Sequence, residues 1–298
     1  SNRIIKGANL LKPIYEQIKL SLLNETLLHA DETVLEVLHE PGKEAGSKSY
    51  VWVYRTSKYN THPAVLYEYT LGRSGDYAKK FLEDWKGTYL HCDGYTGYKK
   101  LMDKTLCGCL VHAKRKFYEA YEVNRSNEYA KQGETYLRKL FRLEDKADES
   151  GLTLEKRLEM RKTNSKQVLD EFYSWISQIE SKILPKSLMG KAITYAINQK
   201  EYLENFLKDA RIQLSNNLAE QSVKPFVIGR SNWLFANTAN GANASTLIYS
   251  IIQSAILNNL IPQKYLTFVF DTIQSGRDAS SLVPWSDEIP ESCKNKKS

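Results

Sequence analysis

Three short runs rich in β-branched and aromatic residues constrain the fold more than any other feature of this sequence. They span residues 27–38, 50–54 and 64–69. Pro41-Gly42 and a polar stretch separate the first two runs, and Asn60 to Pro63 separates the last two. Clusters of Pro, Gly and Asn of this kind mark loops. The pattern predicts three consecutive antiparallel strands, preceded by a helical lead-in.

Strands and helices alternate after this predicted meander. Residues 74–85 carry apolar side chains at helical spacing, and the apolar run 88–92 ends at Asp93-Gly94. A further strand is predicted over 107–111, leading into a basic helix over 113–122. The order strand, helix, strand predicts an α/β fold.

The region from 127 to 209 has long helical periodicity, many charges and few β-rich runs. It is interpreted as a helical insertion. An apolar stripe ends before Pro185 and consists of Phe172, Trp175, Ile176, Ile179 and Ile183. It is interpreted as packing in the core of the helical region rather than as a partner-binding surface.

Beyond this region, Glu220 lies on a helix that Ser215 is predicted to cap and Pro225 to limit. An apolar helix is predicted over 246–258. The predicted domains are a lead-in at 1–26, two parts of an α/β core at 27–125 and 210–274, the insertion at 126–209, and a flexible basic tail at 275–298.

Charge and composition favour an anionic partner. The formal net charge is +7 and the pI is near 9.0, and nucleic acid is the commonest anionic partner of a basic cytoplasmic protein. No stretch approaches the roughly 18 uncharged apolar residues of a membrane span. The first residues lack a signal-peptide pattern, and four cysteines are too few for a disulfide framework. The predicted compartment is the cytoplasm, with no membrane partner.

Three acidic residues stand out by their settings. Asp31 lies on the first predicted strand, Asp93 ends a later strand, and Glu220 lies on a helix. This order matches the arrangement of RNase H-like nucleases and transposases. Two Mg²⁺ ions about 3.5–4 Å apart share carboxylate oxygens in such sites and stabilise the attacking and leaving oxygens of a displacement at phosphorus. Hard cations require oxygen ligands, so carboxylates are the expected donors.

The sequence blocks around these acids resemble the insertion-sequence family sixty-six of DDE transposases. The similar blocks follow one another from about residue 28 to 266 and read His29-Ala30-Asp31-Glu32-Thr33, Asp93-Gly94-Tyr95-Thr96-Gly97-Tyr98, Gly108-Cys109-Leu110-Val111-His112-Ala113-Lys114-Arg115-Lys116-Phe117, Asn216-Asn217-Leu218-Ala219-Glu220-Gln221, Gly229-Arg230-Ser231-Asn232-Trp233-Leu234-Phe235 and Pro262-Gln263-Lys264-Tyr265-Leu266.

The resemblance implies an RNase H-like mixed sheet flanked by helices, with an all-helical insertion between the second and third acids. It implies metal-dependent DNA strand cleavage and strand transfer, with Asp31, Asp93 and Glu220 as the catalytic and metal-binding residues. The implied cofactor is a pair of Mg²⁺ or Mn²⁺ ions. The implied partners are double-stranded DNA, as element ends and target, and further copies of the chain assembled on that DNA at the bacterial nucleoid. End-specific recognition is expected in additional N-terminal segments.

Departures from the family pattern leave two alternatives open. Ser215, Ala210 and Gln221 stand where the family usually has Asp, Gly and Arg. Ser caps a helix as well as Asp does, so the fold is expected to persist. The lost acid and base favour, as the alternative, a catalytically decayed remnant that only binds DNA or supports assembly. A third interpretation is a structure-selective nuclease that cuts but does not join.

Several basic and aromatic residues are predicted to contact DNA. Phosphate oxygens account for much of the affinity of protein–DNA complexes, and an aromatic ring can stack on an unpaired base. The predicted set is Lys114, Arg115, Lys116, Lys224, Arg230, Asn232 and Trp233. For Lys114, Arg115 and Lys116 the alternative is a solvated helix face, and for Trp233 the alternative is a position in the core.

Cys107, Cys109 and His112 also suggest a zinc site, but such a site needs about four ligands and these three are closely spaced. The favoured interpretation is therefore that these residues do not form a zinc site. The resemblance implies that Cys109 and His112 support the active-site architecture.

Overall fold

A computed structural model describes residues 2–40, 42–43, 47–233 and 236–295, and for 231–233 it describes the backbone alone. Packing divides the chain into two units. Unit 1 contains the residues up to Thr88, Thr96–Lys104 and the residues from Asn217 onward. Unit 2 contains Tyr89–Tyr95 and Thr105–Asn216. The predicted domain boundaries remain predictions.

Unit 1 combines four strands with five helices among its described residues. Its strands are β1 (Leu27–His39), β2 (Lys48–Thr56), β3 (Val65–Thr70) and β6 (Ala236–Thr238). Its helices are α1 (Asn2–Leu23), α2 (Gly75–Phe81), α9 (Asn217–Trp233), α10 (Ala239–Leu257) and α11 (Pro262–Gln274), with 3₁₀ turns at Thr96–Lys100 and Glu291–Cys293.

The predicted antiparallel meander is confirmed. β1 pairs with β2 so that Asp31 lies opposite Val53, and β2 pairs with β3 so that Val53 lies opposite Tyr67. β6 runs parallel to the end of β1, with Val37 opposite Ala236. The strands of unit 1 therefore form a mixed sheet, and the chain is a mixed α/β protein.

Side chains alternate between the two faces of this sheet. The odd-numbered residues of β1, β2 and β3 share one face, on which Val223 and Phe226 of α9 and Ala242 of α10 complete a buried core. The strand residues of that core are Leu35, Val37, Val51, Val53, Val65 and Tyr67. Asp31 belongs to the same face because it stands opposite Val53 in the register.

α10 covers the free edge of β3 with hydroxyl groups. The backbone N–H of Val65 donates to Ser254 Oγ at 3.1 Å, and that of Tyr67 donates to Ser250 Oγ at 2.9 Å. Ser254 Oγ in turn donates to the Val65 carbonyl at 3.1 Å. These bonds occupy backbone groups that an exposed edge strand would offer to other chains.

Tyr54, Phe81 and Glu68 lie on the opposite face of the sheet. The rings of Tyr54 and Phe81 stack with centroids 4.0 Å apart. Burial raises the pKa of the Glu68 carboxyl to about 7, although nearby Lys19 and a hydrogen bond from Tyr54 act in the other direction. At neutral pH a large fraction of Glu68 is therefore protonated.

We expect Glu68 to make the protein less stable as the pH rises. The pKa of Glu68 is higher in the folded protein than in the unfolded chain, so the folded protein binds the proton more tightly. The stability that this proton contributes is lost as the pH rises from about 4.5 to about 7. Between pH 5.5 and pH 8.5 the free energy of unfolding, measured by urea denaturation, should fall by about 2 kcal/mol more in the wild type than in Glu68→Gln. Exposed Glu83 provides the control variant Glu83→Gln, and equal losses in wild type and Glu68→Gln would contradict the assignment.

Unit 2 is mostly helical. Its described strands are β4 (Tyr89–His91) and β5 (Thr105–Cys107), which pair in parallel. Its helices are α3 (Leu110–Val123), α4 (Glu128–Glu149), α5 (Leu154–Met160), α6 (Lys166–Ile179), α7 (Leu188–Asn198) and α8 (Lys200–Glu204), with a π-helical segment at Arg161–Ser165 and 3₁₀ turns at Glu180–Lys182 and Asn205–Leu207.

Aromatic rings form the core of unit 2. Phe117 of α3 lies edge-to-face with Phe172 of α6, with ring centroids 5.7 Å apart. Trp175 lies within 6.2 Å of both rings. Of the apolar stripe noted in the sequence, Phe172, Trp175, Ile176 and Ile179 are buried, whereas Ile183 lies beyond the end of α6 and is half-buried.

Arg161 is an ionic centre inside unit 2, with 2% of its surface exposed. Its Nε and Nη2 each donate to the Glu144 carboxylate at 2.7 Å. Its Nη1 lies 2.9–3.1 Å from the carbonyl oxygens of Phe206, Asp209 and Ile212. One side chain thus joins α4 to the segment that leads toward α9.

Three predicted element boundaries are wrong. α9 continues through Pro225 to Trp233, because burial of Val223 and Phe226 outweighs the loss of one backbone donor. It begins at Asn217, so Asn216 rather than Ser215 holds the position before the first helical residue. The strand predicted over 107–111 ends at Cys107, and α3 begins at Leu110, whose N–H donates to the Leu214 carbonyl at 2.8 Å.

The C-terminal segment also differs from the expected flexible tail. Leu282, Ile289 and Cys293 are buried, and Tyr265 donates to the Leu282 carbonyl at 2.6 Å. Apolar burial therefore orders residues 275–295, while Lys296, Lys297 and Ser298 lie outside the described residues. None of the described helices is long and apolar enough to cross a membrane.

Candidate catalytic site

Asp31 begins a half-buried stretch in the middle of β1. Residues 27–30 are buried, residues 31–34 are half-buried, and Leu35 and Val37 are buried again, so Asp31 is partly accessible between two buried parts of the strand. Its Oδ1 accepts a hydrogen bond from the Glu32 N–H at 2.8 Å. This bond orients one carboxylate oxygen.

Glu220 lies in the first turn of α9 and is half-buried. At 100° per residue it falls beside the buried stripe that includes Ala219, Val223 and Phe226. Asn217 and Lys224, on the same flank of the helix, are exposed. The carboxylate of Glu220 is thus at the edge of the buried interface rather than inside it.

Three side chains connect α9 to the sheet that carries Asp31. Arg55 Nη1 donates to the Leu218 carbonyl at 2.9 Å and to Ser222 Oγ at 3.0 Å. Tyr67 OH donates to the Ser222 carbonyl at 2.5 Å, and Arg230 Nη1 donates to the carbonyl of Val34 on β1. Within unit 1, the helix of Glu220 therefore packs on the sheet face to which Asp31 belongs.

Asp93 belongs to unit 2 and follows β4. Its Oδ1 accepts from the Tyr95 N–H at 2.9 Å, which forms a turn around Gly94. A side chain on Gly94 would come within 3.3 Å of Tyr195 and Gln199, so glycine allows the turn to pack against α7. The predicted sharp turn after this strand is present.

Two residues before Asp93, a histidine is held in its neutral form. His91 is buried, and its Nε2 lies 2.8 Å from the Gln213 carbonyl. Burial lowers the pKa of His91 to about 4, against the effect of that hydrogen bond, which raises it. The imidazole of His91 therefore carries no positive charge at neutral pH.

Glu32 has a structural role that sequence reasoning missed. Its side chain, 1% exposed, pairs with Arg73 Nη2 at 2.6 Å and accepts from Tyr98 OH at 2.7 Å. Because side chains alternate along β1, Glu32 lies on the face opposite Asp31. This alternation is the sequence feature from which the separate role of Glu32 could have been predicted. Adjacent acids of one motif thus serve opposite faces of the sheet.

Cys109 precedes α3 and is buried, and its Sγ accepts from the Asn216 N–H at 3.3 Å. None of the four cysteines forms a disulfide. His112 lies in the first turn of α3 and is half-buried. Cys109 therefore contacts the residue that directly precedes α9. The supporting role implied for Cys109 and His112 remains a prediction.

The residues predicted to contact DNA have different surroundings. Lys114 Nζ lies 4.9 Å from the centre of the Phe141 ring, and Lys116 Nζ lies 5.0 Å from that of Tyr195. Arg115 and Lys224 are exposed. Arg230 donates to β1, as described above, and the side chains of Asn232 and Trp233 lie outside the described residues. Their contacts with DNA stay predictions.

The donor chemistry of the acids fits a hard divalent cation. Asp31 and Glu220 offer carboxylate oxygens at half-buried positions on one side of the sheet of unit 1, and oxygen is the ligand atom that Mg²⁺ prefers. Asp31 Oδ1 accepts from the Glu32 N–H and Asp93 Oδ1 from the Tyr95 N–H.

Comparison with known proteins gives one family and several relatives. A sequence model described as "Transposase IS66 family" matches residues 1–244. Proteins of Sinorhizobium fredii named as uncharacterized proteins y4qI, y4hP and y4jD are 30%, 26% and 29% identical to the chain. The matches cover 86%, 92% and 93% of this chain and 50%, 53% and 56% of the relatives. The chain thus spans about half the length of these relatives, and no solved structure matches it.

Proposed function

Because the chain belongs to the IS66 family of transposases, we propose that it is the catalytic region of a DDE transposase that cleaves DNA strands and joins them to a target. The observation that supports this most strongly is the attachment of the Glu220 helix to the sheet face of Asp31 by Arg55 and Tyr67. Asp31 and Glu220, two of the three proposed metal-binding acids, thus belong to a strand and a helix of unit 1 that pack on each other.

In the proposed reaction, a water oxygen attacks phosphorus at an element end, and the bond to the 3′-oxygen breaks. The proton of the water passes to solvent, and the released 3′-hydroxyl then attacks a phosphorus of the target strand. The displaced target 3′-oxygen leaves, so each step exchanges one P–O bond for another. When bound, divalent cations would stabilise the charge on the attacking and leaving oxygens.

The acids of this chain would hold those cations. Asp31 is oriented by the Glu32 N–H and Glu220 by the contacts of α9, and Asp93, with one oxygen held by the Tyr95 N–H, is the proposed third ligand. An RNase H-like arrangement with residues 126–209 as a helical insertion is the fold we propose for this site. Lys114, Arg115, Lys116 and Lys224 would contact DNA phosphates.

The test is a cleavage and joining assay with the full-length protein. Labelled duplexes that carry the element ends are incubated with target DNA and Mg²⁺, and the products are separated on denaturing gels. The proposal predicts both cleaved strands and strands joined to the target. Cleaved strands without joined products would support a nuclease instead, and DNA binding without cleavage would support a decayed remnant.

A further inference from the structure

Arg55 is a charged residue in a half-buried position on the sheet face that carries Asp31. It lies on β2 opposite His29, two residues along β2 from Val53, which stands opposite Asp31. Burial lowers the pKa of its guanidinium group. A cation in this position costs solvation free energy, which its hydrogen bonds must offset.

Its hydrogen bonds to Leu218 and Ser222 go to the first turns of α9. Nη1 donates to the Leu218 carbonyl at 2.9 Å and to Ser222 Oγ at 3.0 Å, and Ser222 Oγ itself donates to the Leu218 carbonyl at 3.0 Å. Tyr67 OH holds the Ser222 carbonyl at 2.5 Å. Three polar groups on one flank of the helix are thus tied to β2 and β3.

Glu220 lies on the other flank of the same turn. At about 100° per residue, Leu218 and Ser222 are separated by roughly 40° around the helix axis, and Glu220 is about 160° from Ser222. The Arg55 contact therefore fixes the rotation of α9 about its own axis. A rotation of about 20° would move a side chain that ends roughly 6 Å from the axis by about 2 Å.

We propose that Arg55 is a positioning residue that sets the direction of the Glu220 carboxylate, and through it the affinity of the site for divalent cations. This inference rests on the proposed function, in which Glu220 is a metal ligand. Arg55 acts through the backbone and hydroxyl of α9, and it touches neither metal nor DNA in this role. Groups that orient metal ligands commonly change metal affinity by about 10–100-fold when removed.

The test measures Mn²⁺ binding by calorimetry in the wild type and in Arg55→Met, which keeps an unbranched side chain but removes the guanidinium donors. We expect Arg55→Met to weaken Mn²⁺ binding by at least about tenfold. Arg55→Lys should restore part of the affinity, because an ammonium can reach one acceptor but lacks the guanidinium fork. DNA affinity without metal should stay within about twofold, since the phosphate contacts are unchanged.

Tyr265→Phe is the control for a general loss of stability. It removes a buried hydrogen bond of unit 1, to the Leu282 carbonyl, and should leave Mn²⁺ affinity unchanged. If Arg55→Met does not fold, Ser222→Ala removes one acceptor of the same contact and should also weaken Mn²⁺ binding. The inference would be overturned if folded Arg55→Met or Ser222→Ala binds Mn²⁺ as tightly as the wild type does, or if Tyr265→Phe loses as much Mn²⁺ affinity as Arg55→Met. In either case, cleavage by the wild type would still support the proposed function. Failure of the wild type to bind Mn²⁺ would instead overturn the proposed function and the inference with it.

Discussion

Replacing Asp31 with Asn is expected to lower Mg²⁺-dependent strand cleavage by at least about a thousandfold, or roughly 4 kcal/mol of transition-state stabilisation. The amide keeps the size of the carboxylate and can still accept from the Glu32 N–H, but it loses the negative charge that a divalent cation requires. The fold should persist, because Asp31 is only half-buried and Asn has nearly the same size. Asp93→Asn and Glu220→Gln should have effects of similar size.

The matched control for Asp31→Asn is Glu36→Gln, which neutralises an exposed acid on the same strand. It should retain wild-type cleavage. DNA affinity, measured by fluorescence anisotropy without metal, should be similar in all of these proteins. Cleavage at more than about a tenth of the wild-type rate in a folded Asp31→Asn protein would remove Asp31 from the proposed metal site.

Replacing Arg161 with Met is expected to destabilise the protein by about 3–5 kcal/mol. The change leaves the Glu144 carboxylate with its contact to Arg157 Nη1 but without the two bonds from Arg161, and it leaves three carbonyl oxygens without the donor that they share. Arg161→Lys should rescue little, because a lysine ammonium cannot hold the carboxylate through two parallel bonds and reach those carbonyls as well. Urea denaturation followed by circular dichroism measures the loss.

Arg142 provides the comparison for this variant, since it is an exposed arginine on α4. Arg142→Met should change the free energy of unfolding by less than about 0.5 kcal/mol. A loss of under 1 kcal/mol for Arg161→Met would mean that the ionic centre contributes little to the stability of unit 2.

The elements that could be predicted from the sequence are those in which the conformational preference of the residues agrees with the burial pattern of their side chains. The meander of β1, β2 and β3 follows from β-branched runs bounded by turn residues, and the stripe of α6 follows from helical periodicity. Pro225 misled the prediction of α9, because tertiary packing of Phe226 outweighs the local cost of a proline. The order of residues 275–295 was missed because their buried residues are scattered and have no period.

The site was predictable in part. The settings of Asp31 and Glu220 indicated chemistry, and the structure adds that the helix of one packs on the sheet face of the other. Arg55, Arg161 and the Glu32–Tyr98 contact were not predicted, because each joins residues far apart in the chain: Arg55 and Leu218 are 163 positions apart. A sequence shows that an arginine is present, but it does not show which carbonyl groups the arginine reaches in the fold.

Asp31, Asp93 and Glu220 are proposed to bind divalent cations together. Anomalous diffraction from crystals soaked in Mn²⁺ gives the sharpest test of this, because manganese is located independently of the protein atoms. We expect manganese peaks coordinated by carboxylate oxygens of all three acids. Manganese bound elsewhere, or no peak at saturating Mn²⁺ in well-ordered crystals, would rule out the proposed site.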